Sequence, residues 1–165
     1  MKIFFEKSDF DEVKKCRMKL GEKLSVIADM IRLNALNTIM CAKSGHIGAS
    51  FSAVEILTVL YHSEMKVDSA NPKNVERDVF VLSKGHAAAA LYSTLVSRGF
   101  FPAERLATFR RLNGLEGHAE ISAPGVETNT GSLGMGISKA NGFALSAKLG
   151  GVKKSVYVLV GDGEL

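Results

Sequence analysis

Residues 78–86 read Asp-Val-Phe-Val-Leu-Ser-Lys-Gly-His. The first five form a short, mainly apolar run that is rich in β-branched and aromatic side chains, which predicts a strand buried on both faces. Residues 155–165 read Ser-Val-Tyr-Val-Leu-Val-Gly-Asp-Gly-Glu-Leu. They predict a second buried strand, followed without a spacer by a glycine-rich turn. The rest of the chain is interpreted around these two strands.

Helices are predicted before and between the strands. Apolar residues recur at steps of three and four between residues 10 and 41, which is the stripe of an amphipathic helix; they include Leu20, Leu24, Ile27 and Ile31. Ser52 and Glu55 predict a capping box at the start of a second helix, with Ile56, Leu57 and Leu60 facing the core. Further helices are predicted over residues 87–97, stopped by Gly99, over 102–111, and over 131–149.

This order of elements predicts the fold class α/β, a doubly wound, mostly parallel sheet with helices on both faces. Ligands in such folds bind at the carboxyl ends of the strands. The turns at 84–86 and 161–163 both fall there, which is the strongest indication of a site. The polar, irregular stretch from 112 to 130 is long for a compact domain, so we expect it to be functional or mobile.

The composition excludes several classes of protein. The 165 residues are 46% hydrophobic and 23% charged, as in an ordinary globular domain. The surplus of 21 basic over 17 acidic side chains is scattered, so we expect no nucleic-acid partner. Cys16 and Cys41 match no metal or disulfide spacing. We find no apolar run of the roughly 20 residues that a membrane span needs, and we expect a cytoplasmic protein without a membrane partner.

Gly161-Asp162-Gly163 is a candidate phosphate and metal site. Glycines let a backbone approach a phosphate closely. A carboxylate beside phosphate makes sense when a divalent cation lies between them, which predicts Asp162 as a ligand of Mg²⁺. An ordinary strand-to-helix turn is the competing interpretation, because Asp and Gly are common in turns.

Three of the four histidines directly follow a glycine: His46, His86 and His118. An imidazole donates and accepts hydrogen bonds and transfers protons near neutral pH, which suits work on sugar hydroxyls. A purely structural role is the default for any single histidine. Zinc is disfavoured, because the histidines lack a compact ligand spacing. His62 lies at a helix end and is interpreted as structural.

Residues 128–136 predict a turn that leads into a helix capped by Ser132. The free backbone N–H groups of such a turn could hold a ring or an anion. Helix packing through the glycines and alanines that follow explains the same residues equally well.

Taken together, five motifs resemble the thiamine-diphosphate-binding domain of transketolases in order and wording. They are residues 43–46, 78–86, 125–128, 131–134 and 161–163. The resemblance covers roughly residues 20–165 and leaves 1–19 as an N-terminal extension. The wording Ser-Lys-Gly-His and Gly-Ser-Leu-Gly is most similar to two-chain transketolases, in which this domain is a separate subunit.

The resemblance implies roles for the matching residues. His46 and His118 would line the substrate channel and handle hydroxyl protons, as catalytic residues. Asp162 would ligate Mg²⁺ (or Ca²⁺). The residues implied in binding thiamine diphosphate are His86, Gly131, Ser132, Leu133, Gly161, Asp162 and Gly163. Substrate preference stays open, since Ile47, Ala119 and Ser132 stand where many relatives have proline, and Met135 where many have glutamine.

The implied function is transfer of a two-carbon ketol unit between sugar phosphates, and the implied partner is a C-terminal transketolase subunit. Family members complete the metal site with an asparagine beyond the position of Leu165, so we expect this chain alone to be inactive and to bind cofactor weakly. We also expect self-association, because apolar strand and helix surface and an unpaired strand edge would be left open beside residues 156–160. A non-catalytic remnant is one alternative. A subunit of another thiamine-diphosphate enzyme, a phosphoketolase or a deoxyxylulose-phosphate synthase, is the other.

Overall fold

A computed structural model describes residues 3–165 of the protein. Its two strands, β1 (Val79–Leu82) and β2 (Val156–Leu159), pair in parallel, and Val79 lies opposite Val156. Both strands and their direction agree with the sequence prediction. Burial on both faces is right for β1 and wrong for β2, whose four residues are all partly exposed. β2 has a hydrogen-bonded neighbour on one side only among the described residues.

Helices cover both faces of this small sheet. Six α-helices are formed within residues 3–165: α1 (Lys7–Lys15), α2 (Leu20–Ala42), α3 (Ile47–Phe51), α4 (Val54–Val59), α5 (Ala88–Arg98) and α6 (Met135–Leu149). A π-helical turn follows α4 (Leu60–Glu64), and short 3-10 turns lie at Gly85–Ala87, Ala103–Thr108 and Asp162–Glu164. The arrangement is that of a doubly wound α/β fold.

The alternation of side chains along β1 divides the core into two parts. Phe80 and Leu82 point into the large cluster that includes residues of α1, α2, α4 and α5. Val79 and Val81 point the other way, into a small cluster with Ala140 of α6. A strand with both faces covered reads as a continuous apolar run, which is what β1 shows.

The carboxylate of Asp78 fixes the amino ends of the two strands. This buried group accepts hydrogen bonds from the backbone N–H of Lys66, at 2.8 Å, and of Ser155, at 2.7 Å. Because a buried carboxylate needs hydrogen-bond partners, Asp78 ties the segments that enter β1 and β2 to each other.

Several predicted helix boundaries are wrong for local reasons. The predicted helix 10–41 is two helices, since the chain is extended at Cys16 before α2 begins. Ser52 does not cap α4; its hydroxyl donates to the carbonyl of Ala49, and Ile56 is 45% exposed. The predicted helix 102–111 is the shorter 3-10 segment Ala103–Thr108. By contrast, α5 ends at Gly99 as predicted, with a φ of 83°.

The start of α6 also differs from the prediction. The helix begins at Met135, and Gly134, with a φ of 79°, takes the cap position that was expected for Ser132. A positive φ is inexpensive only for glycine. A side chain at Gly136 would overlap Ser83, so this helix approaches the end of β1 more closely than any other residue type allows.

Helix α2 is long and apolar enough, by length and composition, to cross a membrane, which corrects the expectation that no segment is. Its most apolar window is 44% buried within the fold. Ile27, Ile31 and Ala35 are buried in the large core cluster. A core helix can meet the same criteria of length and composition. The contacts of α2 are those of such a core helix.

The predicted N-terminal extension, residues 1–19, contains α1. Phe10 of α1 is completely buried in the main core and contacts the ring of Phe5 edge-on. Residues 1 and 2 of that extension lie outside the described residues. The described part packs as one layer of the domain.

Candidate functional site

The three glycine-linked histidines meet at the carboxyl edge of the sheet. His46 precedes α3, and His86 lies in the 3-10 turn after β1; their ring centroids are 5.2 Å apart, edge to face. Burial lowers the pKa of His86, and the charges of His46, Lys84 and His118 lower it further, while Glu164 opposes them. His86 therefore favours its neutral form near neutral pH. Residues far apart in sequence converge here, as expected from strands whose carboxyl ends share one edge.

Contacts with α5, with the turn at residue 131 and within the polar stretch 112–130 set the position of His118. The hydroxyl of Tyr92 donates to the carbonyl of His118 at 2.8 Å, and the N–H of Thr130 donates to Ala119 at 2.9 Å. A Cβ on Gly131 would lie 3.2 Å from the His118 ring. The stretch is irregular, as predicted, and these contacts hold it against α5 and the 131 turn.

Only glycine fits at position 85, where the turn that carries His86 lies against the loop at Thr130 and Gly131. A Cβ on Gly85 would lie 2.6 Å from the hydroxyl oxygen of Thr130 and 2.9 Å from the nitrogen of Gly131. That hydroxyl is buried and has no hydrogen-bond partner. The turn that carries His86 thus packs directly against the backbone at Gly131. The unsatisfied hydroxyl of Thr130 lies at this contact.

Glu164 forms a hydrogen-bond cluster with Ser83, Gly134 and Gly161. Its carboxylate accepts from the Ser83 hydroxyl at 2.7 Å, from the N–H of Gly134 at 2.9 Å and from the N–H of Gly161 at 2.7 Å. The Ser83 oxygen accepts in turn from the N–H of Gly136 at 3.2 Å. Burial acts to raise the pKa of Glu164, but these hydrogen bonds hold it below its usual value.

The Glu164 cluster corrects one sequence expectation. The backbone N–H groups of residues 128–136 were expected to be free for a ring or an anion, yet those of Gly134 and Gly136 are already engaged. Gly131, Ser132 and Leu133 precede this cluster, and Ser132 and Leu133 are exposed.

Asp162 and Gly163 lie exposed in the short turn between Gly161 and Glu164. Lys84 is close enough for its charge to interact with the carboxylates of Glu164 and Asp162. Burial lowers the pKa of Lys84, and these two negative charges oppose the shift. The Lys84 ammonium donates to the Ser52 hydroxyl at 2.8 Å. Among residues 3–165 no three His, Cys, Asp or Glu side chains come together as a metal site.

The fourth histidine lies elsewhere. His62 sits in the π-helical turn, and its Nε2 is 2.9 Å from the hydroxyl of Ser97. Burial, followed by the charges of Lys14 and Arg98, lowers the pKa of His62 to about 3. Burial thus favours the neutral form of His62, and its position outside the site agrees with the structural role that the sequence indicated.

A cavity of about 740 Å³ lies away from the histidines, near the amino ends of the strands. Its lining includes Val79 and the ion pair of Arg77 with Glu127. The carboxyl edge is instead open, because His46, His118 and Asp162 are exposed. The chemistry-bearing groups therefore line a surface that this chain does not enclose.

Three residues with contacts at this edge were missed by sequence reasoning: Ser83, Lys84 and Glu164. Each directly follows or lies within a turn at the end of a strand, which was the available signal. Each has a partner that lies 30 to 81 residues away in sequence, and no local pattern indicates such pairs.

Comparisons with known proteins identify the family of this chain. Residues 24–165 match the family model "Transketolase, thiamine diphosphate binding domain". The chain is 42% identical over 144 residues to one of the subunits of the apulose-4-phosphate transketolase of Phocaeicola vulgatus, covering 87% of this chain and 51% of that protein. It is 42% identical over 139 residues to a 6-deoxy-6-sulfo-D-fructose transketolase subunit of a Clostridium species, covering 83% and 50%.

A solved structure gives the same result. The transketolase of Campylobacter jejuni superimposes with a TM-score of 0.83 at 38% identity, over 89% of this chain and 24% of that one. The chain thus spans about half the length of the curated subunits and about a quarter of that transketolase. It belongs to the family of transketolase N-terminal, thiamine-diphosphate-binding domains.

Proposed function

We propose that this chain provides part of a thiamine-diphosphate site in an enzyme that transfers a two-carbon ketol unit between sugar phosphates. The observation that carries the proposal is the convergence of His46, His86 and His118 at the sheet edge where Asp162 also lies. Family membership supports the cofactor, because the matching family model is described as a thiamine-diphosphate-binding domain.

The residues present fit the diphosphate side of this cofactor. Imidazole N–H groups and glycine backbone suit phosphate oxygens, and a side chain is sterically excluded at Gly85, where the His86 turn meets Gly131. Asp162 supplies one of the hard oxygen ligands that Mg²⁺ prefers. Phosphate oxygens, water or further protein groups would complete the metal's coordination.

Each histidine has a proposed task, which the family resemblance implies and which its surroundings allow. His86, with its lowered pKa, would donate a hydrogen bond to a diphosphate oxygen while remaining neutral. His46 and His118 are exposed, so they are free to bind sugar hydroxyls and to hold or release their protons. Gly131, Ser132 and Leu133 would contact the ring portion, and Gly161 and Gly163 the diphosphate. Bound thiamine diphosphate supplies the electron sink for carbon–carbon cleavage.

We propose that the partner is a C-terminal transketolase subunit. Two relatives are named as transketolase subunits, and the open histidine surface suits a partner that encloses the substrate. Self-association is also proposed, because apolar side chains such as Leu145 and Leu149 are exposed along α6. A cytoplasmic location, where sugar phosphates are found, completes the proposal.

The test uses the protein isolated from its own cells with whatever subunits accompany it. Ketol transfer from a ketose phosphate to an aldose phosphate should require Mg²⁺ and thiamine diphosphate. His46→Ala and His118→Ala should each lower kcat about 10²-fold or more, as for loss of a proton-transferring group. His86→Ala should mainly weaken cofactor binding, and His62→Gln is the matched control, since His62 lies outside the site.

Other outcomes distinguish the alternatives. Acetyl phosphate as product would indicate a phosphoketolase. Deoxyxylulose phosphate formed from pyruvate would indicate the corresponding synthase. Absence of cofactor binding and of all three reactions would support a non-catalytic role and contradict the proposal.

A further inference from the structure

The first turn of α6 already holds an anion that belongs to the chain itself. A helix N-terminus carries unpaired N–H groups and a partial positive charge, so it binds anions. Here the Glu164 carboxylate occupies that place through the N–H of Gly134, and Ser83 takes the N–H of Gly136. A cofactor diphosphate is therefore not expected at this helix terminus.

The same carboxylate joins three segments that are distant in sequence. Ser83 directly follows β1, Gly134 directly precedes α6, and Gly161 begins the turn after β2. Hydrogen bonds to a charged acceptor are shorter and stronger than those between neutral groups. One side chain thus sets the distance between the turn that carries Asp162 and the loop 131–133.

We infer that Glu164 is a positioning residue, which holds the Asp162 turn and the 131–134 loop in the arrangement that the site requires. The inference rests on the proposed function only for the identity of the bound cofactor. A simpler role, capping α6 alone, would leave the Asp162 turn indifferent to the loss of this carboxylate. The two roles therefore differ in what happens at residues 161–163.

The first experiment needs no cofactor. Amide hydrogen exchange by NMR is measured on the whole chain carrying Glu164→Gln, which keeps the shape but removes the charge. Exchange at both Gly134 and Gly161 should be about 10- to 100-fold faster, which corresponds to about 1.4–2.7 kcal/mol and lies within the range for loss of a charge-assisted hydrogen bond. Glu12→Gln, the same change on α1, should leave both rates unchanged. Faster exchange at Gly134 alone would reduce Glu164 to a helix cap and overturn the inference.

A double-mutant cycle tests the link through Ser83. Ser83→Ala and Glu164→Gln should each speed exchange at Gly161, and their combined effect should be smaller than the product of the two, because they remove one shared cluster. Independent effects would contradict the cluster as a unit.

The second experiment measures the affinity of the isolated assembly for thiamine diphosphate with Mg²⁺ by calorimetry. Glu164→Gln should weaken binding about 10-fold or more under conditions in which the variant remains folded, as urea unfolding checks, and Glu164→Ala should weaken it further. Unchanged affinity in both variants would overturn the inference and leave the proposed function intact. If the unaltered protein binds no cofactor, the proposed function fails, and the exchange rates alone decide the role of Glu164.

Discussion

Strands β1 and β2 have almost the same sequence and different surroundings. Val-Phe-Val-Leu pairs residue by residue with Val-Tyr-Val-Leu in parallel register. Every residue of β1 is buried, whereas every residue of β2 is partly exposed. Residues of β1 pack into core clusters on both faces of the sheet. Helix α6, which packs beside β2, leaves several of its own apolar side chains exposed to solvent. Sequence character thus determines that a segment is a strand, and its neighbours determine how deeply the strand is buried.

The sharpest way to break this comparison is to truncate the paired aromatic residues. Phe80 is 4% exposed and contacts Tyr61 edge to face at 5.6 Å, whereas Tyr157 is partly exposed. Phe80→Ala should lower the free energy of unfolding by about 3–5 kcal/mol, and Tyr157→Ala by about 1–2 kcal/mol, since less apolar area is removed. Urea unfolding of both variants checks this. Equal losses would show that the two sides are energetically alike.

The predictability of the fold follows the same division. β1, β2 and the end of α5 at Gly99 depend on local patterns, so the sequence predicted them. The start of α6 depends on a close approach between Gly136 and Ser83, which no local pattern contains.

The candidate site was predicted in part for a related reason. The topology rule for parallel strands places the turns of His86 and Asp162, which each follow a strand, at one edge, and the structure agrees. The rule does not cover His46 and His118, which follow no strand but lie beside His86. Glu164 was missed because an acidic residue after Gly163 is typical of a solvated turn. Its role depends on Ser83, which is 81 positions away in sequence.

The second prediction concerns the chain just before β1. The ion pair of Arg77 with Glu127 is nearly buried, with side chains 12% and 14% exposed, and burial raises the pKa of Glu127 while Arg77 opposes the shift. Glu127→Gln should cost about 2–3 kcal/mol in unfolding free energy, because it leaves a buried cation unpaired. Asp11→Asn, which breaks the more exposed pairs of Asp11 with Lys7 and Lys14, should cost less than about 1 kcal/mol. A similar loss in both variants, measured by urea unfolding, would contradict the expected dependence on burial.

The third prediction concerns the effect of acid on stability through the buried histidine His62, which contacts Ser97 of α5. The folded-state pKa of His62 is about 3, against an ordinary value of 6.5. Between these values the unfolded chain binds more protons, so His62 lowers stability as the pH falls through this window, by about 2 kcal/mol at pH 5. His62→Gln should remove that part of the difference between urea unfolding at pH 7.5 and at pH 5. His46→Gln, at an exposed position, should retain it, and an unchanged pH dependence in His62→Gln would refute the assignment.

The smallest effect on stability is expected on α6. Leu149 is 79% exposed and lies four residues, or one turn, after Leu145, which is 56% exposed. Leu149→Lys should change the free energy of unfolding by less than about 0.5 kcal/mol, as for other exposed positions. It should nevertheless reduce self-association, because it places a charge on an apolar surface. Leu112→Lys is the matched control: Leu112 is 95% exposed in the 112–130 stretch, outside α6. Sedimentation velocity at tens of micromolar should show weaker association for Leu149→Lys only, and equal behaviour of the two variants would exclude α6 as the associating surface.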